Sequence, residues 1–399
     1  MKQKIIEKQN LLPFILVTSL FLLWGLANNM TDTLLAAFRN IMDMSDTETS
    51  LIQFAFYGSY FCFALPAAIF IQKKSYKAGV LLGLALYAAG AILFLPAAKM
   101  ESYLFYLVAI YIMAGGCSVL ETTANPYILS MGSPETATRR LNIAQSFNPM
   151  GSIMGILTSK YFILSSISLY SVSGTYAVLG VVLLGIMVIM MFANMPEGKD
   201  DSDGNTLLAT FKRLAKNKKY VWGVVAQFFY VGAQIGVWSF TIRIVMQELA
   251  MVEADASSLY LLSIICFCLS RFVYTYIMKW FSPASLLLFG GIASSLCTLV
   301  VILAAGTGWT LVVALIGIST FMSLMFPTIY GIALGGITTG SNPEDAKVGA
   351  SGLIMAILGG ALLTPLQGMI SDATNIHTSY IVPLFCFVVV AGYALKVRK

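Results

Sequence analysis

Two carboxylic acids of the sequence, Asp32 and Glu121, stand inside long apolar runs, whereas the other Asp and Glu residues fall in loops, tails or run ends. A charged side chain near the centre of a bilayer costs about 2.5–3.5 kcal/mol, so acids are rare there and usually functional. Both acids also lie beside amides, Asn28 and Asn29 near the first and Asn125 near the second. Buried acids beside hydrogen-bonding amides predict a site that exchanges protons and binds a polar solute.

The first acid belongs to a polar stripe. Trp24, Asn28 and Asp32 follow one another at intervals of four residues, which places them on roughly one face of a helix. An indole can pack against the apolar face of a sugar ring, while an amide and a carboxylate bind its hydroxyl groups. The alternative is a polar seam that only holds helices together. Asparagine alone would favour that alternative, whereas an acid on the same stripe favours a functional site.

The second acid is accompanied by amides on two consecutive runs. Glu121 and Asn125 are four residues apart, and Gln145 and Asn148 are three apart, so each pair shares a helical face. We expect these four polar side chains to form a cavity wall. Glu121 is predicted to bind and release a proton near neutral pH, and Asp32, if it lies close, to titrate as its coupled partner.

A third stripe, in a later run, contains amides and aromatics but no acid. It consists of Gln227, Tyr230, Gln234 and Trp238, which are spaced as one face of a helix. Inside a membrane such a face must contact protein or water, which favours a cavity wall. We therefore predict that titration belongs to the first half of the chain and that both halves contact a sugar.

Arg271 is the basic residue whose placement inside an apolar run costs the most free energy. It could pair with an acid or with loop carbonyls. We expect it to have a structural or gating role rather than to bind substrate. A guanidinium group beside the cavity would instead favour an anionic substrate. Ser323, Tyr330 and Gln367 are weaker candidates for the wall of the second half.

The elements that must position these residues follow from composition. The chain has 399 residues, 58% of them hydrophobic and 11% charged, with a mean hydropathy of +0.83. Soluble domains carry about 25% charged residues, so the sequence predicts a polytopic membrane protein. Because the apolar runs do not alternate like barrel strands, we predict an all-α fold of transmembrane helices. The twelve predicted spans are 11–38, 49–71, 78–98, 102–131, 141–165, 174–195, 220–245, 258–280, 284–305, 309–338, 346–370 and 379–395.

A polar interruption midway predicts the domain organisation: an N-terminal six-helix half over 1–196, a cytoplasmic linker over 197–219 and a C-terminal six-helix half over 220–399. Apolar residues at helical spacing within the linker predict a helix along the membrane surface. Lys and Arg concentrate in the segments on the side of both termini, which predicts that both termini are cytoplasmic. One histidine and six dispersed cysteines argue against a metal site, and no cofactor is predicted.

Six stretches of the sequence carry a family resemblance: Asn28-Asn29-Met30-Thr31-Asp32, Ser75-Tyr76-Lys77-Ala78-Gly79, Leu120-Glu121-Thr122-Thr123-Ala124-Asn125-Pro126, Leu141-Asn142-Ile143-Ala144-Gln145-Ser146-Phe147-Asn148, Ala226-Gln227-Phe228-Phe229-Tyr230-Val231-Gly232-Ala233-Gln234 and Ser371-Asp372-Ala373. Together they resemble the fucose–proton symporter family of the major facilitator superfamily. The resemblance implies a twelve-helix fold in two halves and proton-driven uptake of a monosaccharide. It also implies that Asp32 and Glu121 are the family's two essential membrane acids, with Gln145 and Asn148 in the cavity wall of the N-terminal half.

The leading hypothesis is import of a neutral monosaccharide, L-fucose, with a proton by alternating access. The protein is expected to work as a monomer in the lipid bilayer, without nucleic acid and without enzymatic activity. Thr31 stands where a fucose transporter is expected to have asparagine, and relatives carry glucose, galactose or N-acetylglucosamine, so these sugars stay open.

Three other functions compete with this hypothesis. A proton-driven exporter of apolar drugs would need an aromatic cavity, and the amide-rich stripes count against it. A membrane enzyme that acts on lipid-linked sugar would need a catalytic cluster at the membrane interface, where the sequence offers one loop histidine and no acid cluster. A sugar sensor that does not transport stays open.

Overall fold

The computed structural model describes residues 5–42, 46–163, 168–195, 207–303, 305–338 and 345–398. Within these ranges, the side chains of residues 8, 31–37, 39–40, 46–50, 53, 160 and 253–254 lie outside the description. Asp32 belongs to this set. The predicted contacts of its carboxyl group therefore lie outside the described residues.

Helices account for all the regular structure in the described residues, which confirms the prediction of an all-α protein. They are α1 (Leu11–Met42), α2 (Asp46–Lys73), α3 (Tyr76–Ile92), α4 (Phe94–Lys99), α5 (Tyr103–Ser130), α6 (Ala137–Gln145), α7 (Phe147–Thr158), α8 (Leu169–Phe192), α9 (Leu207–Lys216), α10 (Lys218–Leu249), α11 (Glu253–Ile277), α12 (Pro283–Leu303), α13 (Trp309–Met322), α14 (Met325–Thr338), α15 (Asp345–Met355), α16 (Leu358–Ala373), α17 (Ile376–Ser379) and α18 (Ile381–Arg398). The helix predicted within the linker is present as α9.

Eleven helical segments in the described part of the chain are long and apolar enough to cross a membrane. The predicted span 141–165 is not among them because it is divided. Its first part, α6, ends at Gln145, and α7 has only 12 residues before the chain continues as a π turn over Ser159–Ile163. Pro149, in the first turn of α7, has no N–H to donate to the carbonyl four residues earlier, so the division is encoded locally.

Polar side chains begin several of the helices. Ser75, Ser102, Ser168 and Asn217 each accept a hydrogen bond from the backbone N–H three residues ahead, at the start of α3, α5, α8 and α10. Such caps satisfy N–H groups that have no partner inside the helix. The starts of these spans are therefore fixed by sequence, while their lengths follow from the apolar runs.

The chain folds into two compact units. Unit 1 comprises Met1–Pro134, Met150–Lys212 and Ile337–Met355, and unit 2 comprises Glu135–Pro149, Arg213–Gly336 and Ala356–Lys399. Helix α6 thus belongs to unit 2, where it packs on α11, and α15 belongs to unit 1, where it packs on α2 and α5. The two compact units do not coincide with the predicted halves 1–196 and 220–399. The division of the sequence into two six-helix halves stays a prediction.

Glycines bring the helices that carry the site into backbone contact. In unit 1, a Cβ added to Gly151 of α7 would lie 1.8 Å from the carbonyl oxygen of Leu22 in α1. In unit 2, a Cβ added to Gly359 of α16 would lie 2.0 Å from the carbonyl oxygen of Phe228 in α10. Both helix crossings require glycine, as is usual where membrane helices approach closely.

Replacement of Gly151 or Gly359 by alanine should destabilise the protein. The added methyl group must push two backbones apart, and such overpacking costs about 1–3 kcal/mol. The check is the thermal unfolding midpoint of the purified full-length protein in detergent. Gly185→Ala is the matched control, because no atom lies within 4 Å of its added Cβ. If Gly151→Ala and Gly185→Ala unfolded at the same temperature, the close crossing of α1 and α7 would be refuted.

Candidate functional site

Two acids are buried among the described side chains, Glu121 in α5 and Asp345 in α15. Asp345 accepts a hydrogen bond of 3.1 Å from the hydroxyl group of Thr210. The Oε2 atom of Glu121, by contrast, has no hydrogen-bond partner among the described residues, although the side chain is only 1% exposed. A charged oxygen without a partner is costly in a buried site, whereas an uncharged carboxylic acid is much less so. Of these two acids, Glu121 is therefore the one whose surroundings depend more on its proton.

The surroundings of Glu121 include residues that sequence reasoning missed. Tyr60 of α2 is an electrostatic neighbour of Glu121 and of Cys117, one turn earlier in α5, and its side chain lies near Trp24 of α1. The hydroxyl oxygen of Tyr60 and the indole nitrogen of Trp24 are both buried without a hydrogen-bond partner among the described residues. The side-chain nitrogen of Asn125 donates to the backbone carbonyl of Glu121 at 3.0 Å. The predicted residues Trp24, Glu121 and Asn125 thus lie in one polar cluster of unit 1. Tyr60 stands in an aromatic run without an acid, so no sequence signal distinguished it.

The polar stripe of α1 is only partly buried. Trp24 is 6% exposed and packs on Phe21 with ring centroids 5.6 Å apart, whereas Asn28 and Asn29 are half-buried. Asn29 donates to the carbonyl oxygen of Gly25 at 3.2 Å. The Oδ1 atom of Asn28 is buried and has no hydrogen-bond partner in the described part of the chain. An acceptor of this kind suits the hydroxyl group of a ligand.

Arg271 of α11 is a buried cation of unit 2 that binds backbone carbonyls. The guanidinium Nε donates to the backbone oxygen of Ser323 at 2.6 Å, and Nη1 donates to the backbone oxygen of Gln145 at 2.9 Å. Both carbonyls stand four residues before a proline, Pro327 and Pro149, which cannot supply the usual helical N–H. Each carbonyl also lies at a helix C-terminus, where the backbone carries partial negative charge. Arg271 therefore replaces two helical hydrogen bonds that the sequence removes.

These bonds give Arg271 the carbonyl contacts that were one of its two predicted options. No carboxylate pairs with it among the described residues, and its side chain is only 3% exposed. Its guanidinium group also lies over the ring of Phe267, 4.6 Å from the ring centroid. The contact between Nη1 and Gln145 fixes the end of α6, three residues before Asn148. Gln145 is buried in unit 2, and Asn148 is half-buried there.

The predicted stripe of α10 is buried at one end and accessible at the other. Gln227 and Tyr230 are fully buried, and neither amide atom of Gln227 has a hydrogen-bond partner within the described residues. Gln234 and Trp238 are half-buried. Trp238 packs edge-on against Phe267 at 5.0 Å and donates from Nε1 to the hydroxyl oxygen of Ser319 at 3.3 Å.

The structure distributes the predicted site residues between the two units. Unit 1 holds Trp24, Asn28, Asn29, Asp32, Glu121 and Asn125, and unit 2 holds Gln145, Asn148, Gln227, Tyr230, Gln234 and Trp238. Unit 1 contains the buried acid with an unpartnered oxygen, and unit 2 contains the aromatic and amide side chains around Arg271. Phe267 and Ser319, which orient Arg271 and Trp238, are further residues that the sequence reasoning missed.

Comparison with known proteins places this geometry in a family. The family model described as Major Facilitator Superfamily matches residues 14–362. The chain is 42% identical to the L-fucose-proton symporter of Haemophilus influenzae, over 100% of this chain and 99% of the relative. It is 35% identical to the L-fucose-proton symporter of Escherichia coli, over 97% and 93% of the two chains. It is 30% identical to the glucose/galactose transporter of Brucella abortus, over 95% and 92%.

Solved structures agree with the sequence relatives. A crystal structure of the major facilitator superfamily transporter FucP in the outward conformation superposes with a TM-score of 0.89 at 34% identity, over 98% of this chain and 100% of FucP. The proton:xylose symporter XylE gives a TM-score of 0.77 at 12% identity, over 96% and 94% of the two chains, which supports the fold alone. The predicted major facilitator fold and the resemblance to fucose–proton symporters are thereby confirmed.

Replacement of Arg271 by glutamine should destabilise unit 2 by roughly 1.5–3 kcal/mol, the usual worth of hydrogen bonds from a charged donor. Arg271→Lys should recover part of this loss, because an ammonium group keeps the charge but lacks the planar fork. The thermal unfolding midpoint measures both effects. Arg243→Gln is the control, since Arg243 is exposed and donates no hydrogen bond among the described residues.

A second mutation separates the proline argument from a general loss of packing. Pro149→Ala restores an N–H that can reach the Gln145 carbonyl, so Arg271→Gln should cost less in the Pro149→Ala background. Strictly additive effects of the two substitutions would contradict the idea that Arg271 supplies a bond removed by Pro149.

Proposed function

The chain belongs to the major facilitator superfamily, and from that premise we propose that it imports a neutral monosaccharide, L-fucose, together with a proton. It is a transporter of this superfamily rather than an enzyme. The observation that carries the proposal is the buried Oε2 of Glu121, which has no hydrogen-bond partner in the described chain and lies in a cluster with Tyr60 and Trp24. The names of the two relatives at 42% and 35% identity favour L-fucose over other sugars.

Glu121 acts as the proton carrier in this proposal. When protonated it is neutral and can stay buried, and when ionised it requires water or a ligand donor. A conformational cycle that alternately buries and exposes the side chain therefore has to load and release a proton. Asp32, which the sequence spacing places on the same face of α1 as Trp24, is proposed as the second titrating group.

The sugar contacts in this proposal come from indoles and amides. Trp24 and Trp238 offer apolar faces to a pyranose ring, while Asn28, Asn148 and Gln234 offer amide groups for its hydroxyls. Asn29, Asn125, Gln145, Gln227 and Tyr230 complete the proposed set. In the described conformation Gln227 and Tyr230 are fully buried, so a role for them as ligands requires that α10 or its neighbours move.

A neutral substrate agrees with the arrangement around Arg271. Two of its N–H groups are bound to the backbone carbonyls of Ser323 and Gln145, and the ring of Phe267 lies beneath it. The charge is thus balanced by helix C-termini and an aromatic face rather than held for an anionic ligand. An exporter of apolar drugs is disfavoured because the candidate binding residues are rich in polar amides.

The second candidate function is transport of glucose, galactose or N-acetylglucosamine. Its support is the 30% identity to the glucose/galactose transporter of Brucella abortus and the presence of Thr31 at a position where asparagine is expected in fucose transporters. For either sugar we propose a monomer in the bacterial plasma membrane with both termini in the cytoplasm, because Lys and Arg concentrate on that side.

Glu121→Gln should abolish proton-driven accumulation of labelled L-fucose while leaving exchange between equal concentrations of the sugar. Glutamine is permanently neutral, so it imitates the protonated acid but cannot release a proton. Purified protein in vesicles with an imposed pH gradient provides both measurements. Glu101→Gln, an exposed acid in unit 1, is the control and should accumulate sugar normally. Accumulation by Glu121→Gln against a gradient would remove the coupling role.

The sugar should be identified by competition against uptake of labelled L-fucose. Unlabelled L-fucose is expected to compete best, with D-glucose, D-galactose and N-acetylglucosamine at least about tenfold weaker, because a missed buried hydrogen bond costs about 1–3 kcal/mol. Trp238→Phe should weaken binding while Trp280→Phe, an exposed tryptophan, should not. Stronger competition by D-glucose or D-galactose than by L-fucose would favour the second candidate.

A further inference from the structure

His377, the only histidine of the sequence, lies where three elements of unit 2 end. It stands in the short helix α17, between α16 and α18. Its ring reaches Glu248 at the end of α10 and Val301 in the last turn of α12. The proposed transport mechanism uses none of these groups. All three elements end at the face of the membrane opposite the proposed cytoplasmic side.

Both ring nitrogens of His377 face oxygen atoms that accept hydrogen bonds. Nε2 lies 2.7 Å from Oε1 of Glu248, and Nδ1 lies 3.1 Å from the backbone oxygen of Val301. A neutral imidazole has one N–H and could satisfy only one of these acceptors, whereas the imidazolium ion has two. The Val301 carbonyl also belongs to the C-terminal turn of α12, where a cation is favoured. Both oxygen atoms therefore receive a hydrogen bond only when the ring is doubly protonated.

Glu248 is held in turn by the loop that follows α12. Its carboxylate accepts from the backbone N–H of Gly306 at 3.0 and 3.1 Å, and from that of Gly308 at 3.4 Å. Both glycines have positive φ, of 79° and 58°, a backbone conformation that other residues adopt with strain. The two amides therefore hold the Glu248 carboxylate in place beside the ring. The side chains of His377 and Glu248 are 13% and 7% exposed, so solvent screens the pair only partly.

Other charged groups at this end of unit 2 do not compete for the ring. Arg243 of α10, Asp255 of α11 and Asp372 of α16 are exposed, and none of them forms an ion pair among the described residues. The side chain of Glu253, at the start of α11, lies outside the described residues. Elements α12 and α17 supply no further charged side chain besides His377.

We propose that His377 and Glu248 form a proton-operated latch, which joins the ends of α10, α12 and α17 while the histidine is protonated and loosens when it is not. Helix α10 carries Gln234 and Trp238, and α17 connects the two helices that pack on α10. The latch would thus let the pH at this face tune the candidate sugar-binding unit. It acts separately from proton coupling at Glu121 and does not depend on the identity of the sugar.

The latch has a direct spectroscopic test, because a single histidine gives a single set of signals. Full-length protein without a polyhistidine tag is labelled with ¹⁵N-histidine and studied by NMR between about pH 5.5 and 8.5, the range in which histidines titrate. We expect the doubly protonated ring at the acidic end and its loss as pH rises. In Glu248→Gln the doubly protonated ring should be lost at lower pH than in the unmodified protein, because the anionic partner is gone. Equal midpoints in the two proteins would overturn the latch.

A stability measurement tests whether the pair holds the helix ends together. The thermal unfolding midpoint should fall as pH rises through the titration of His377 in the unmodified protein, since the bond needs the proton. His377→Gln cannot titrate and should lose this dependence, while Asp372→Asn, at the same face without an ion pair, should keep it. An unchanged pH profile in His377→Gln would show that the pair has no such role. Because neither experiment uses sugar or a gradient, the outcome is independent of the proposed transport function.

Discussion

Polar groups inside a bilayer must find partners within the protein, and this constraint organises the structure. Many hydroxyl groups in the spans meet it locally, by donating to the carbonyl four residues earlier. Thr123, Thr241 and Thr275 bind Val119, Val237 and Arg271 in this way. Such bonds are satisfied in any conformation that keeps the helix, so they contribute little to a transport cycle. The buried groups that cannot be satisfied locally are the ones that depend on protons, ligands or neighbouring helices.

Proline and arginine illustrate how this constraint shapes unit 2. Pro149 and Pro327 each remove a helical N–H, and the two freed carbonyls converge on Arg271. The helices are broken beside the candidate ligands Gln145 and Asn148, and one cation restores both lost bonds. A guanidinium group suits this task because its N–H groups point in fixed, divergent directions. The cost of burying the charge is offset by two helix C-termini and an aromatic face, which explains how it can lie in a span without a carboxylate partner.

Much of this architecture could be predicted from the sequence, because residue spacing and composition determine local helical structure. The helical fold, the polar stripe of α1 and the special position of Glu121 follow from period and hydropathy. The division of the predicted span 141–165 could have been inferred from Pro149, but apolar length alone concealed it. The grouping of Tyr60 with Glu121, and of Phe267 with Trp238, depends on which helices pack together. No local pattern specifies these pairs, and Asp32 lies outside the described side chains.

The two buried acids show why burial alone does not identify a coupling site. Asp345 and Glu121 are both nearly inaccessible, yet Asp345 has the hydroxyl group of Thr210 as a donor, and the Oε2 of Glu121 has no partner among the described residues. A carboxyl group with a fixed donor has its hydrogen bond within the protein, so it can tie helices together. A carboxyl group without them must change either its proton or its surroundings when the helices move. The distinction between structural and coupling acids therefore lies in the donors around the oxygen atoms rather than in depth.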